Sequence, residues 1–248
     1  MINNLQSFLK RNRYKLAIFI LMAGASLFCV LLVAARIAYS DSNRYSNLVW
    51  NLLLAWIPFV VAYAAYASSW NKWTLFIILP FTAFLWLLFF PNAPYILTDL
   101  QHLAKESVDT PLWYDVIVIV WFAWTGLLLG LVSLYLMHEI VRRTVGRWIG
   151  WLFVLAVSVI SSFGVYLGRF VRFNSWDLLN DPREIAVTVL GLAVDPSKRL
   201  IAFTILFAIF YVFVYLTLYS FGHLLQEGDF HGQAVSYPKE AHGNPDRP

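Results

Sequence analysis

A chain of 248 residues that is 60% hydrophobic and only 13% charged lies well below the roughly 25% charged residues of a soluble domain. That composition excludes a water-soluble globule and leaves an integral membrane protein of one domain. The net charge of +4 makes no case for a nucleic-acid partner, because the basic residues flank apolar runs, where they fix topology.

In chain order, a basic cluster of Lys10, Arg11, Arg13 and Lys15 precedes a first apolar run over 16–38. It exceeds the roughly 7–15 residues of a signal-peptide core, so it reads as an uncleaved first span. Cys29 within it is the only cysteine, which excludes an intrachain disulfide and a cysteine metal cage. Further spans follow at 47–69, 73–91, 113–138, 148–168 and 199–225. At 1.5 Å per residue each is long enough for a bilayer core of about 30 Å. Pro58 and Pro80 lie inside the second and third spans and predict kinks there. Trp50 and Asn51 open the second span; an amide at that depth wants a partner from a neighbouring helix or polar loop. Gly164 and Gly168, near Ser158, Ser161 and Ser162, predict a face of the fifth span that packs closely on a neighbour.

The apolar stretch 185–194 is too short to span and predicts an interfacial or tucked-back helix. Residues 227–248 form a polar tail, expected to be mobile. The expected fold is therefore all-α: a polytopic membrane bundle in a single domain, 1–226, of six transmembrane helices plus one short interfacial helix. Its expected partners are membrane lipids, with the oligomeric state open.

Three polar segments stand out, and each follows an odd number of spans: PNAPYILTDLQHL (91–103), LWYD (112–115) and GRFVRFNSWD (168–177). Parity places all three at one membrane face. The basic residues near the span ends divide evenly between the two faces, and the N-terminal cluster breaks the tie, since the first helix usually dominates orientation. Both termini are then expected to be cytoplasmic, with the motif loops outside.

In the first segment Pro91 and Pro94 predict an end to the third helix and an extended or turn conformation around Asn92. Thr98 or Asp99 can cap a following turn on which Asp99 and His102, three apart, share a face. Such a pair suits a divalent metal or a base oriented by a carboxylate; it equally suits a capping Asp beside an interfacial His. Asp115 either complements the dipole of the fourth helix or adds a second acidic ligand beside Asp99. Arg169 and Arg172 share a face if the fifth helix continues, and then suit a phosphate or carboxylate; alternatively they snorkel to headgroups or pair with the acids. Asn174, Ser175 and Asp177 follow as a turn rich in donors and acceptors. No Walker A loop, HExxH, GxSxG or dinucleotide fingerprint occurs in the chain, so the strong catalytic motifs are absent.

The words FFPNAPYILTDLQHL, WYD and GRFVRFNSWD resemble those of the bacterial multi-pass membrane proteins catalogued as domain of unknown function 1361. The resemblance runs from about Trp50 to about Arg199. It implies a bacterial cytoplasmic-membrane protein and carries no catalytic residue over. From the residues themselves, two functions are expected. One is a membrane-embedded hydrolase or transferase acting on an anionic, lipid-like substrate. In it Asp99, His102 and Asp115 do the chemistry, with Asp177 as a further ligand of a divalent metal ion, and Asn92, Tyr95, Arg169, Arg172, Asn174 and Asp177 bind substrate. The other is a non-enzymatic scaffold or lipid-binding protein whose acids and arginines form structural ion pairs.

Overall fold

The computed structural model describes residues 2–68, 72–104, 110–173 and 177–235. Every described element is helical, and six helices are long and apolar enough to cross a membrane. α1 (Ile2–Ser40), α2 (Ser46–Ser68) and α3 (Lys72–Phe89) come first. A short α4 (Asn92–Tyr95) runs on as a 3₁₀ helix, Ile96–Ala104. α5 (Leu112–Thr144) and α6 (Arg147–Tyr166) follow, and α6 closes in a π-helical turn, Leu167–Val171. After α7 (Asp177–Asn180) and α8 (Pro182–Val194), α9 (Lys198–Val235) completes the chain.

α5 is the central helix. It packs against α1, α2, α4 and α6, and 61% of its most apolar window is buried, against 17% for α1 and 22% for α9. It is apolar on every side, as a helix enclosed by others must be. Its N-terminal half joins Cys29, Leu48, Leu52, Phe59 and Ile96 in one apolar cluster. Its other half joins Trp86, Phe90, Tyr211 and Tyr215 in a second.

α2 and α3 run without interruption through Pro58 and Pro80. α8 is the short helix expected before the last span. Asp181 caps it, its side chain accepting from the Glu184 amide at 3.2 Å, and Pro182 occupies the first turn, where a missing N–H costs nothing. α9 continues into the polar tail as far as Val235, and 236–248 lie outside the described residues.

One local expectation is corrected. The segment Pro91–Tyr95 is not extended: Pro91 has φ −59° and ψ −24°, and the chain restarts at once as a helix. Pro94 falls in the first turn of α4, among the donors that have no intrahelical partner anyway. The two prolines make an elbow between helices.

Packing explains where that elbow sits. A Cβ added at Gly126 would lie 3.0 Å from the Ala93 carbonyl oxygen, and one at Gly130 would lie 3.0 Å from Ala93 Cβ. On the other flank, a Cβ at Gly164 would lie 2.7 Å from Pro91 Cγ, and one at Gly168 would lie 3.3 Å from the Tyr95 ring. Two small-xxx-small faces, one on α5 and one on α6, thus hold the elbow between them by close backbone approach. Ala93 and Pro94 are buried there. The close packing expected of Gly164 and Gly168 is present, and their neighbour is this elbow.

Candidate functional site

Beyond the elbow, the 3₁₀ helix aims Asp99 into the protein, where it is fully buried. Arg169 Nη1 donates to Asp99 Oδ1 at 2.9 Å, and Asn51 Nδ2 donates to Asp99 Oδ2 at 3.1 Å. The Thr98 hydroxyl donates back to the Tyr95 carbonyl at 2.6 Å. A carboxylate at this depth needs a charged partner more than a helix end needs a cap.

Arg169 reaches that partner because α6 ends in a π turn. The widened turn carries Arg169 inward, its side chain only 8% exposed, and the chain then leaves the helix at Arg172, which adopts φ +68°. A non-glycine residue in that region is strained, and both π turns and such strain gather at functional positions. Arg172 itself is exposed. The two arginines therefore do not share a face, because the helix does not continue regularly between them.

The guanidinium is engaged on every side. Nη1 also donates to the Tyr95 hydroxyl at 3.1 Å, and Nη2 donates to the Thr98 carbonyl at 2.8 Å. With the Gln101 amide oxygen turned toward it, Gln101 accepts from Nε and Nη2. The five N–H donors of an arginine are thereby all assigned within the protein.

Asp115 belongs to a different constellation. Arg36, reaching from α1, donates to it through Nε at 2.8 Å and Nη2 at 3.3 Å. Thr110 Oγ1 donates at 3.0 Å and the Tyr45 hydroxyl at 3.3 Å. The Arg36 guanidinium lies 4.6 Å from the Tyr45 ring centroid. Arg36 is 1% exposed and Asp115 likewise 1%. Burial first, and the Asp115 charge second, push the Tyr45 phenol above its ordinary range. Read as sequence, Arg36 is one more basic residue beside a membrane face. Its position a turn inside an apolar span, within reach of an acid at a neighbouring helix start, is the signal for the pair.

Asn92, Tyr95, Asp99 and Arg169 thus come together, with Asn51 and Gln101 as additional members, while Asp115 stands with Arg36. Asp177 opens α7 and is half-buried. Asn174 and the side chain of His102 lie outside the described residues. Among the described residues no three of His, Cys, Asp and Glu are grouped so as to hold a metal ion. At the far end of α5, Glu139 is bonded by Arg142 at 2.7 Å and Arg143 at 2.6 Å, while His138 Nδ1 meets the Tyr215 hydroxyl at 2.7 Å.

Against the Asp99–Arg169 pair lies a cavity of about 320 Å³. α2, the end of α3, the elbow, α6 and α8 form its wall. The side chains of Asn51, Asn92 and Tyr95 are its principal polar groups, and among the described residues no charged side chain lines it. An apolar groove of about 440 Å³ runs between α6, α8 and α9. Cavity and groove share Ile160, Phe163 and Val189, so the polar cavity and the apolar groove lie side by side against a common wall.

The chain belongs to the family described as protein of unknown function (DUF1361), which it matches over residues 50–214. No curated protein and no solved structure matches it. The described residues of the elbow site lie inside the matched stretch; Arg36 and Tyr45 precede it.

Proposed function

We propose that this membrane protein binds a lipid-like amphiphile from the side, with the polar head in the Asn51–Asn92–Tyr95 cavity and the hydrocarbon chain in the groove beneath α8. The observation that carries this reading is the adjacency of the polar cavity and the apolar groove across a common wall of Ile160, Phe163 and Val189. Ligand sites of this kind pair a mainly apolar lining with a few placed polar groups. α8 supports it: only 13 residues long, it cannot span, and it covers both spaces instead. The Asp99–Arg169 pair then works as a keystone that fixes Asn51 and Tyr95. For hydrolysis or group transfer in this cavity, the described wall residues supply no acid, and Asp99 is already engaged by two donors. Binding is accordingly the reading that the geometry favours, with the motif end placed outside the cytoplasmic membrane by the basic N-terminal cluster.

The test is photo-crosslinking in bilayers with a lipid carrying a diazirine near the end of its chain, followed by peptide mapping. Labels should concentrate on 159–163 and 189–205 and should fall sharply in Val189→Trp, which fills the common wall. Labelling spread evenly over the lipid-facing surfaces of α1 and α9, and indifferent to Val189→Trp, overturns the proposal.

A further inference from the structure

We infer that the head group taken by this cavity is uncharged and carries a hydroxyl, or an equivalent group that both donates and accepts a hydrogen bond. The inference rests on the lipid-binding reading and names its ligand class. The paired arginines of GRFVRFNSWD suggest a phosphate, but their geometry does not provide for one. Arg169 has its five donors assigned to Asp99, Tyr95, Thr98 and Gln101, and Arg172 is exposed and does not line the cavity. A phosphate placed in an uncharged, largely apolar wall would lose its hydration without gaining a cation, which is strongly unfavourable.

Beside Asn92, whose Nδ2 donates to the Phe89 carbonyl at 2.9 Å, the ion pair sets the polarity of two groups that read a ligand. Arg169 donates to the Tyr95 oxygen, so the phenolic proton is turned away from the guanidinium and is available to an acceptor in the cavity. Asn51 gives one of its two Nδ2 protons to Asp99, which orients the amide so that Oδ1 points away from the carboxylate as an acceptor. Asp99 and Arg169 thereby fix the polarity of both side chains: Tyr95 presents a donor and Asn51 an acceptor. A single hydroxyl satisfies both at once, donating to Asn51 and accepting from Tyr95. A bare carbonyl satisfies only Tyr95, and a phosphate monoester, with its acceptors in excess, leaves Asn51 Oδ1 facing an anion.

The experiment compares two lipids that differ only in the head: dioleoylglycerol and dioleoyl phosphatidic acid, each brominated on the chains, in phosphatidylcholine vesicles containing the full-length protein. Trp50, in the cavity wall, reports binding by quenching; Trp50→Phe supplies the background. Dioleoylglycerol should quench the Trp50 signal at roughly tenfold or more lower mole fraction than phosphatidic acid. Tyr95→Phe, which keeps the ring that packs on Gly168, should weaken dioleoylglycerol about tenfold, the scale of one lost hydrogen bond, and leave phosphatidic acid unchanged. Asn51→Leu should act in the same direction, and a melting curve on each variant shows that the fold is kept. Equal or stronger quenching by phosphatidic acid overturns the uncharged-head inference while leaving lipid binding standing. Quenching that does not depend on Trp50 with either lipid overturns both.

Discussion

Asp115→Asn should be among the most destabilising single changes in the chain. The substitution keeps the size of the side chain and removes its charge, leaving the Arg36 guanidinium at 1% exposure with no counter-ion. It also turns an amide NH₂ toward the Thr110 hydroxyl, the Tyr45 hydroxyl or the arginine, all of which now donate. Removing one partner of a buried pair costs about 3–5 kcal/mol. The pair as a whole has no such value: Arg36→Met with Asp115→Leu replaces two desolvated charges by apolar groups and should fall within about 1 kcal/mol of the native protein. The assay is reversible unfolding by SDS in mixed micelles, followed by tryptophan fluorescence, on native protein, both single variants and the double variant. The reasoning predicts a coupling energy of several kcal/mol from the resulting cycle, and lipid binding retained in the double variant. A cost below about 1 kcal/mol for Asp115→Asn alone would refute it, since the carboxylate would then not be neutralising a buried cation.

Three further outcomes follow from the same geometry. Gly164→Ala places a methyl 2.7 Å from Pro91 Cγ, part of a ring that cannot rotate away; the melting curve should show a loss of about 1–3 kcal/mol. Gly24→Ala and Gly222→Ala, with nothing within 4 Å, should match or slightly exceed the native stability. The phenol of Tyr45 is held above its ordinary range by burial and then by Asp115, so the fold binds that proton more tightly than the unfolded chain does. Its stabilising share is present below the unfolded value of about 10 and is lost as pH rises above it; unfolding measured from pH 8 to 11 should show this decline, and Tyr45→Phe should flatten it. For orientation, a cysteine replacing Ser107, with Cys29→Ala, should react with an impermeant maleimide in intact cells; protection that lysis relieves would place the motif end in the cytoplasm.

Much of the architecture was legible in one dimension. Hydropathy and length alone separate the six spans from α8, because a bilayer sets a threshold on consecutive apolar residues that 185–194 cannot meet. Span parity puts Asp99, Asp115 and Arg169 at one end; in the structure Arg169 pairs with Asp99, and Asp115 pairs with Arg36. The local form of the elbow was less legible. Two prolines in PNAP signal a broken helix equally whether the chain goes on extended or restarts, and the restart depends on Gly126, Gly130 and Gly164 letting the backbone in.

The pairing of charges was not legible at all. The sequence supplies several acids and several arginines near one face, and nothing local says which meets which. Arg36 takes Asp115 because α1 lies against α5, and Arg169 takes Asp99 because a π turn rotates it inward. Sequence therefore determined that this is a six-span membrane bundle with a polar end, since burial of apolar length in lipid is a property of each segment by itself. Only the tertiary structure decided that, among the described residues, the polar end holds two separate ion pairs and a cavity lined by no charged side chain. Desolvated charges choose partners by proximity in the packed bundle, and that proximity joins residues as far apart as 79 positions in the chain.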